Sequence, residues 1–245
     1  HYESYRIYYY YMNNLKKKIS LDIVSNVLKG KSTKEGVKLL IEDIFLDKIS
    51  YVCSFGAESA IILDMISKIK KDFPIIFVNT LKLFQETIDY KNYLKESLGL
   101  KNIIEIQPET KELKYKDKNN DLWKTNTDKC CELRKVIPLN KALKNYDAWF
   151  SGRKSYHSDV RQENTMVELH DGKYIVSPLL NWKRVEIENY FEAHDLVRHP
   201  LVFQSYLSIG CTHCTSKTID ANDVRSGRWA NSEKTECGIH NLKAK

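Results

Sequence analysis

The 245-residue chain lacks any run of ~18 apolar residues, which excludes a membrane-spanning helix of ordinary length. It also lacks the apolar core of a secretory signal, since its start is Tyr-rich and then basic at Lys16, Lys17 and Lys18. The cytoplasm is the expected compartment. A strong charge of one sign is missing too. Lys and Arg exceed Asp and Glu by only 7, which suits an anionic ligand and is too small and dispersed for a nucleic-acid protein. No internal repeat is visible. With 42% hydrophobic and 29% charged residues, the chain reads as globular, one large domain or two small ones. Cysteine is scarce but clustered. Of the six, five fall in Cys130-Cys131, Cys211-Thr212-His213-Cys214 and Cys237, leaving Cys53 alone. Clustering without a secretion signal points to metal binding or thiol catalysis, not a disulfide framework.

The hydrophobic pattern alternates strands with helices. Helices are expected over Thr33–Leu46, Glu58–Ile69, Phe84–Leu98 and Trp182–His194, and strands over Ile49–Phe55, Pro74–Asn79, Asn102–Ile106 and Asp147–Ser151. Such alternation implies an α/β fold with a parallel sheet and right-handed crossovers. Val167 to Val176 reads as a hairpin about Asp171-Gly172. Lys111 to Asp121 is polar and reads as a mobile loop, after which Asp128 is expected to cap a helix carrying Cys130, Cys131 and Lys135. The divisions expected are an extension over 1–34, an α/β domain over 35–200 and a C-terminal segment over 201–245.

Three places carry candidate chemistry. Ser54-Phe55-Gly56-Ala57-Glu58-Ser59, at a strand-to-helix junction, suits either an anion cradle or a plain tight turn. Cys130, Cys131, Cys211 and Cys214 offer four soft thiolate ligands. An adjacent pair strains to reach one small ion, which favours an iron–sulfur cluster over zinc, although His213 inside the CxxC is also a potential zinc ligand. Four idle thiols are the bland alternative. Cys237, followed by Gly238 and with His240 three residues on, reads as an accessible nucleophile or an idle surface thiol. Cys53, in a strand, reads as core packing.

Five motifs occur in one order: VCSFGAES at 52–59, CCELRKVIPL at 130–139, SIGCTHCT at 208–215, RSGRW at 225–229 and ECGIH at 236–240. In this the sequence resembles the assimilatory adenylyl-sulfate reductases from about residue 35 to 241. The resemblance implies an adenine nucleotide alpha hydrolase-like fold (ATP pyrophosphatase type) with a C-terminal catalytic tail. It also implies thiol-dependent reduction of adenosine 5′-phosphosulfate to sulfite and AMP, with Cys237 as nucleophile and an S-sulfocysteine intermediate. A 4Fe-4S cluster on Cys130, Cys131, Cys211 and Cys214 follows from it, as do thioredoxin or glutaredoxin as reductant and a homo-oligomer. Lys135, Arg225, Arg228 and His240 are then expected at the phosphosulfate. The nucleotide's remainder is expected at Ser54, Phe55, Gly56, Ser59, Val78, Asn79, Thr80, Gly152, Arg153 and Arg161. Because the sequence stops five residues after His240, the reductant is expected to be a separate protein.

The sequence departs from the family in having Asn79-Thr80-Leu81 for Asp-Thr-Gly, His213 for a proline, and a short tail with a single Trp229. Two other activities fit parts of the pattern, and a binding module that uses the cysteines only for structural zinc is a third reading. A reductase for 3′-phosphoadenosine 5′-phosphosulfate shares the tail nucleophile but generally lacks the four cysteines, and dual use is the intermediate case. A tRNA-thiolating enzyme of the same fold would need an SGGxDS loop and has no reason for the ECGIH tail.

Overall fold

The computed structural model describes residues 19–157, 165–220, 222–229, 234 and 238. Six strands form one sheet: β1 (Ile49–Cys53), β2 (Ile75–Val78), β3 (Ile103–Ile106), β4 (Ala148–Ser151), β5 (Val167–His170) and β6 (Lys173–Val176). Their order is β3-β2-β1-β4-β6-β5, parallel throughout except for β5, which pairs antiparallel with β6. The expected hairpin is present, with both Asp171 and Gly172 at positive φ (47° and 76°), as a primed two-residue turn requires.

Short continuous apolar strands are covered on both faces because successive side chains point opposite ways. Ile75 and Phe77 enter the larger core with Tyr51, Cys53 and Phe150, whereas Ile76 joins Trp149, Ile175, Leu139 and Leu143 on the other face. Cys53 is thus a core residue, and burial pushes its thiol up to about 12.

The helices, in chain order, are α1 (Leu21–Leu28), α2 (Thr33–Leu39), α3 (Ser59–Ser67), α4 (Gln85–Ser97), α5 (Thr110–Lys116), α6 (Leu122–Thr125), α7 (Thr127–Cys131), α8 (Ile137–Ala142) and α9 (Arg184–Ala193). Several details differ from the sequence reading. The helix expected to run from Thr33 to Leu46 widens into a π turn at Leu40–Ile44, because Leu40, Ile41 and Ile44 all turn inward. The expected loop 111–121 contains α5, whose residues are all at least partly exposed and so give no apolar stripe to read. Asn126, not Asp128, caps α7, accepting from the Lys129 N–H at 2.9 Å. Within the expected extension, α1 is capped by Ser20 and buries Val24 in the main core.

Candidate functional site

An open cavity lies where β1, β2 and β4 end, the edge at which parallel α/β sheets bind ligands. Its lining includes Ser54, Gly56, Ser59, Val78, Thr80, Lys135, Gly152, Arg153, Arg225 and Arg228. The register Val52↔Ser151 and Cys53↔Phe77 aligns the strand ends, so loops far apart in sequence share this space. Phe55 and Asn79 stand outside the lining. Phe55 is fully buried, edge-on to Phe77 at 5.3 Å. The Asn79 amide donates to Glu105 at 2.7 Å, and its oxygen accepts from the Leu81 N–H at 3.0 Å. Arg161, Cys237 and His240 lie outside the described residues.

In the first loop it is Phe55, at φ 50°, that takes the left-handed backbone. Gly56 serves close packing instead: a Cβ there would stand 3.3 Å from Ser54 Oγ and 3.6 Å from the Ile209 carbonyl. The 207–211 loop therefore seats against the strand end and closes the cavity from the far side. It is pinned there by the Leu83↔Cys211 bridge and by the Thr212 N–H donating to the Lys82 carbonyl at 2.8 Å.

Positive charge lines both sides. Lys154 Nζ pairs with Glu58 at 2.6 Å, and the Tyr156 hydroxyl donates to the same carboxylate at 2.6 Å. Arg153 pairs with Glu168 at 3.0 Å, and its Nε–H is buried with no hydrogen-bond partner among the described residues. Arg228 donates from Nε to the Cys214 carbonyl at 3.2 Å and lies over the Trp229 ring at 4.4 Å, with Arg225 over the same ring at 5.5 Å. These two arginines share a turn around Trp229, not the helix face their spacing allows. Gly210 makes room for Arg228, since a Cβ there would lie 2.4 Å from its Nη2.

A second, smaller cavity is walled by Cys130, Cys131, Cys211 and Cys214, with Lys82, Trp123, Arg134, Lys135 and His213. All four thiols are buried, and among the described residues none is joined in a disulfide. Among the described residues no three His, Cys, Asp or Glu side chains converge as around a single ion. Between Cys131 and Lys135 the helix opens into a π turn, Glu132–Val136, so these two residues do not keep ideal α spacing, yet both line this cavity. Burial raises the Cys130 and Cys214 thiols. Burial would raise Cys211 too, but Lys135, the Thr80 hydroxyl at 3.2 Å and Arg228 outweigh it and hold that thiol below its ordinary value. Cys211 and Lys135 line both cavities.

Sequence reasoning missed the residues that brace this wall. Arg134, almost fully buried, donates to Asp117 at 2.6 Å, to Asn120 at 3.0 Å and to the Thr80 carbonyl at 3.0 Å. Asp117 also accepts from the Leu122 N–H at 3.0 Å, which fixes α6 and its Trp123. Its carboxyl is held below the usual range: burial opposes this, and Arg134 and backbone N–H groups prevail. Trp123 meets His213 edge-on at 4.2 Å. His213, in the place of the family's proline, accordingly forms an outer wall of the cysteine cavity.

The phosphoadenosine phosphosulfate reductase domain matches residues 48–217. An adenosine 5′-phosphosulfate reductase of Chelativorans sp. is 40% identical over 213 residues, 86% of this chain and 87% of that protein. One from Mesorhizobium japonicum is 42% identical over 198 residues, 81% and 78% of the two chains. Among solved structures, a phosphoadenylyl-sulfate reductase from Candida auris in a phosphate complex superposes with TM-score 0.68 at 26% identity, covering 81% of this chain and 98% of that one. A Candida glabrata FMN adenylyltransferase shares the fold alone, with TM-score 0.53 at 13% identity over 91% and 83% of the chains. The matched domain, the curated relatives and the strand-end cavity agree: the chain belongs to the phosphoadenosine phosphosulfate reductase family.

Proposed function

We propose that the protein reduces adenosine 5′-phosphosulfate to sulfite and AMP. The observation that carries this is the joining of the two cavities: Lys135 and Cys211 belong both to the cation-lined cavity at the strand ends and to the four-cysteine cavity behind it. Relatives at 40% and 42% identity bearing the adenosine 5′-phosphosulfate name favour this nucleotide over its 3′-phosphorylated form.

In the proposed reaction the Cys237 thiolate attacks the sulfur of the phosphosulfate, the bond from sulfur to the bridging oxygen breaks, and AMP leaves with that electron pair. Lys135, Arg225 and Arg228 offset the charge of the approaching anions, with His240 assigned beside them by the family pattern. A thiolate of thioredoxin or glutaredoxin then attacks Cys237 Sγ and expels sulfite. The second thiol of a dithiol reductant resolves the mixed disulfide and regenerates Cys237, the two electrons coming from that dithiol. The four buried thiols fit a group larger than one ion, and we assign them a 4Fe-4S cluster. Cys130 and Cys131 at the end of α7 and Cys211 and Cys214 in the facing loop would hold it, and it would supply fixed charge beside the cation wall. The reading extends to the cytoplasm, in keeping with clustered cysteines outside disulfides, and, by the family pattern, to a homo-oligomer. Among the described residues no helix is long and apolar enough to cross a membrane.

Sulfite release from each nucleotide in the presence of reduced thioredoxin tests the proposal. Turnover is expected with adenosine 5′-phosphosulfate and is expected to fall about 10³-fold or more in Cys237→Ser. Turnover of the 3′-phosphorylated nucleotide alone would overturn the substrate, and survival of activity in Cys237→Ser would overturn the nucleophile. Iron and sulfide analysis of anaerobically purified protein, with its visible absorbance, checks the cluster.

A further inference from the structure

We propose that Thr87 contacts the bound nucleotide as a hydrogen-bond donor and that His199 is the positioning residue that makes it one. The inference deepens the nucleotide reading above and rests on it. Thr87 is the third residue of α4, is 2% exposed and lines the strand-end cavity. Its hydroxyl has one hydrogen-bond partner among the described residues, His199 Nε2 at 3.0 Å.

His199 is fully buried, with Tyr90 edge-on to its ring at 5.0 Å. Its Nδ1 accepts from the Leu201 N–H at 3.2 Å. A neutral imidazole carries one hydrogen, so an accepting Nδ1 places that hydrogen on Nε2. Burial keeps the ring neutral, lowering its pKa to about 4. Nε2–H therefore donates to Thr87 Oγ1, and the oxygen's own hydrogen is left with no acceptor among the described residues. A buried hydroxyl in this state is costly unless something accepts from it. The cavity is the remaining direction, and a nucleotide brings acceptors in its ring nitrogens, its ribose and its phosphate.

A second hydroxyl in the same lining is unspent in a simpler way. Ser151, at the end of β4, lines the cavity, and its Oγ is buried with no hydrogen-bond partner among the described residues. Two residues of one lining, one with an orphaned hydroxyl and one whose hydroxyl a histidine leaves to donate, make a polar wall suited to a ligand rich in acceptors.

Calorimetric titration of the anaerobically purified protein with AMP and with adenosine tests this. Thr87→Val is expected to weaken AMP by about tenfold, the size of one lost hydrogen bond, and Thr87→Ser to stay within about threefold of wild type. Weakening of adenosine as well places the acceptor in the nucleoside, whereas weakening of AMP alone places it on the phosphate, and either supports the proposal. His199→Gln, which keeps an N–H toward Thr87, is expected to retain more affinity than His199→Leu at equal thermal stability, a difference that packing alone would not produce. If Thr87→Val fails to fold, the double variant Thr87→Val/His199→Phe removes both polar partners and is read in its place. AMP affinity within twofold of wild type in either valine-bearing variant overturns the inference. Failure of the wild type to bind AMP overturns instead the nucleotide reading beneath it.

Discussion

On the sheet side of the cavity, Lys154 faces Glu58 at 2.6 Å and Arg153 faces Glu168 at 3.0 Å. On the loop side, Arg228 meets a carbonyl, the Ser208 hydroxyl and an indole ring, and no carboxylate among the described residues. All three cations line one space, yet two meet a carboxylate and the third, among the described residues, does not. Burying an ion with its counter-ion mainly fixes a geometry, because the gain in attraction is largely spent on desolvation. Burying one against neutral dipoles and a ring leaves its field available to an incoming anion. The sheet side therefore shapes the pocket, and the loop side draws the anion.

The strongest way to break this contrast is Arg228→Ala, expected to lower kcat/KM by about 10²–10³-fold with little change in thermal midpoint. Gly210→Ala is expected to move activity the same way, since the added methyl occupies the place of the guanidinium. Should Arg228→Ala unfold the protein instead, the loop-side charge would be structural after all.

A smaller effect belongs to His199, packed against Thr87 and Tyr90 of α4. Its folded pKa of about 4 lies below the unfolded value of about 6.5, so the unfolded chain binds the extra proton first as pH falls. Its contribution to stability is full above about pH 6.5 and is lost between there and about pH 4, amounting to about 3 kcal/mol. Denaturant titrations across that range should show the slope in wild type, and His199→Phe should flatten it.

Glu168→Gln, on the sheet side, is expected to cost about 2 kcal/mol of stability while changing kcat/KM less than tenfold, as equilibrium unfolding and steady-state assays would report. A loss of activity as large as that of Arg228→Ala would erase the distinction between the two sides. The smallest effect is expected from Leu81→Gly. Leu81 is half exposed and sits at φ 61°, a backbone that costs a branched side chain about 1–2 kcal/mol. Glycine's flexibility in the unfolded chain offsets part of that, leaving a stabilisation of up to about 1 kcal/mol, readable as a higher thermal midpoint.

The sheet was legible because strands such as Ile75–Val78 are apolar throughout and are bounded by turn residues. The cysteine pairs were legible as a group because thiols are few. Other parts left no comparable trace. α5 has no buried face, so its period carries no signal, and yet it leads to Asp117, one of the few buried acids. Thr87 and His199 are polar residues inside apolar periods, where a sequence pattern records only interruption. That Asn79 would turn toward Glu105 was likewise invisible, since the partner stands 26 residues away on the neighbouring strand. The π turns escape any reading by period, because each shifts the very period being counted.

That shift has a mechanical consequence at Glu132–Val136. One additional residue in a helical turn rotates everything before it by about 100° relative to everything after. It acts as a shim: α8 can lay Leu139 on the sheet while Cys130 and Cys131, a few residues earlier, face a cavity in another direction. Both demands fall on a single continuous run of helical backbone, and an unbroken α-helix would satisfy only one of them. Deleting one residue from this turn should leave α8 seated on the sheet and swing the cysteine pair away from Cys211 and Cys214, a rotational fault that no side-chain substitution would repair.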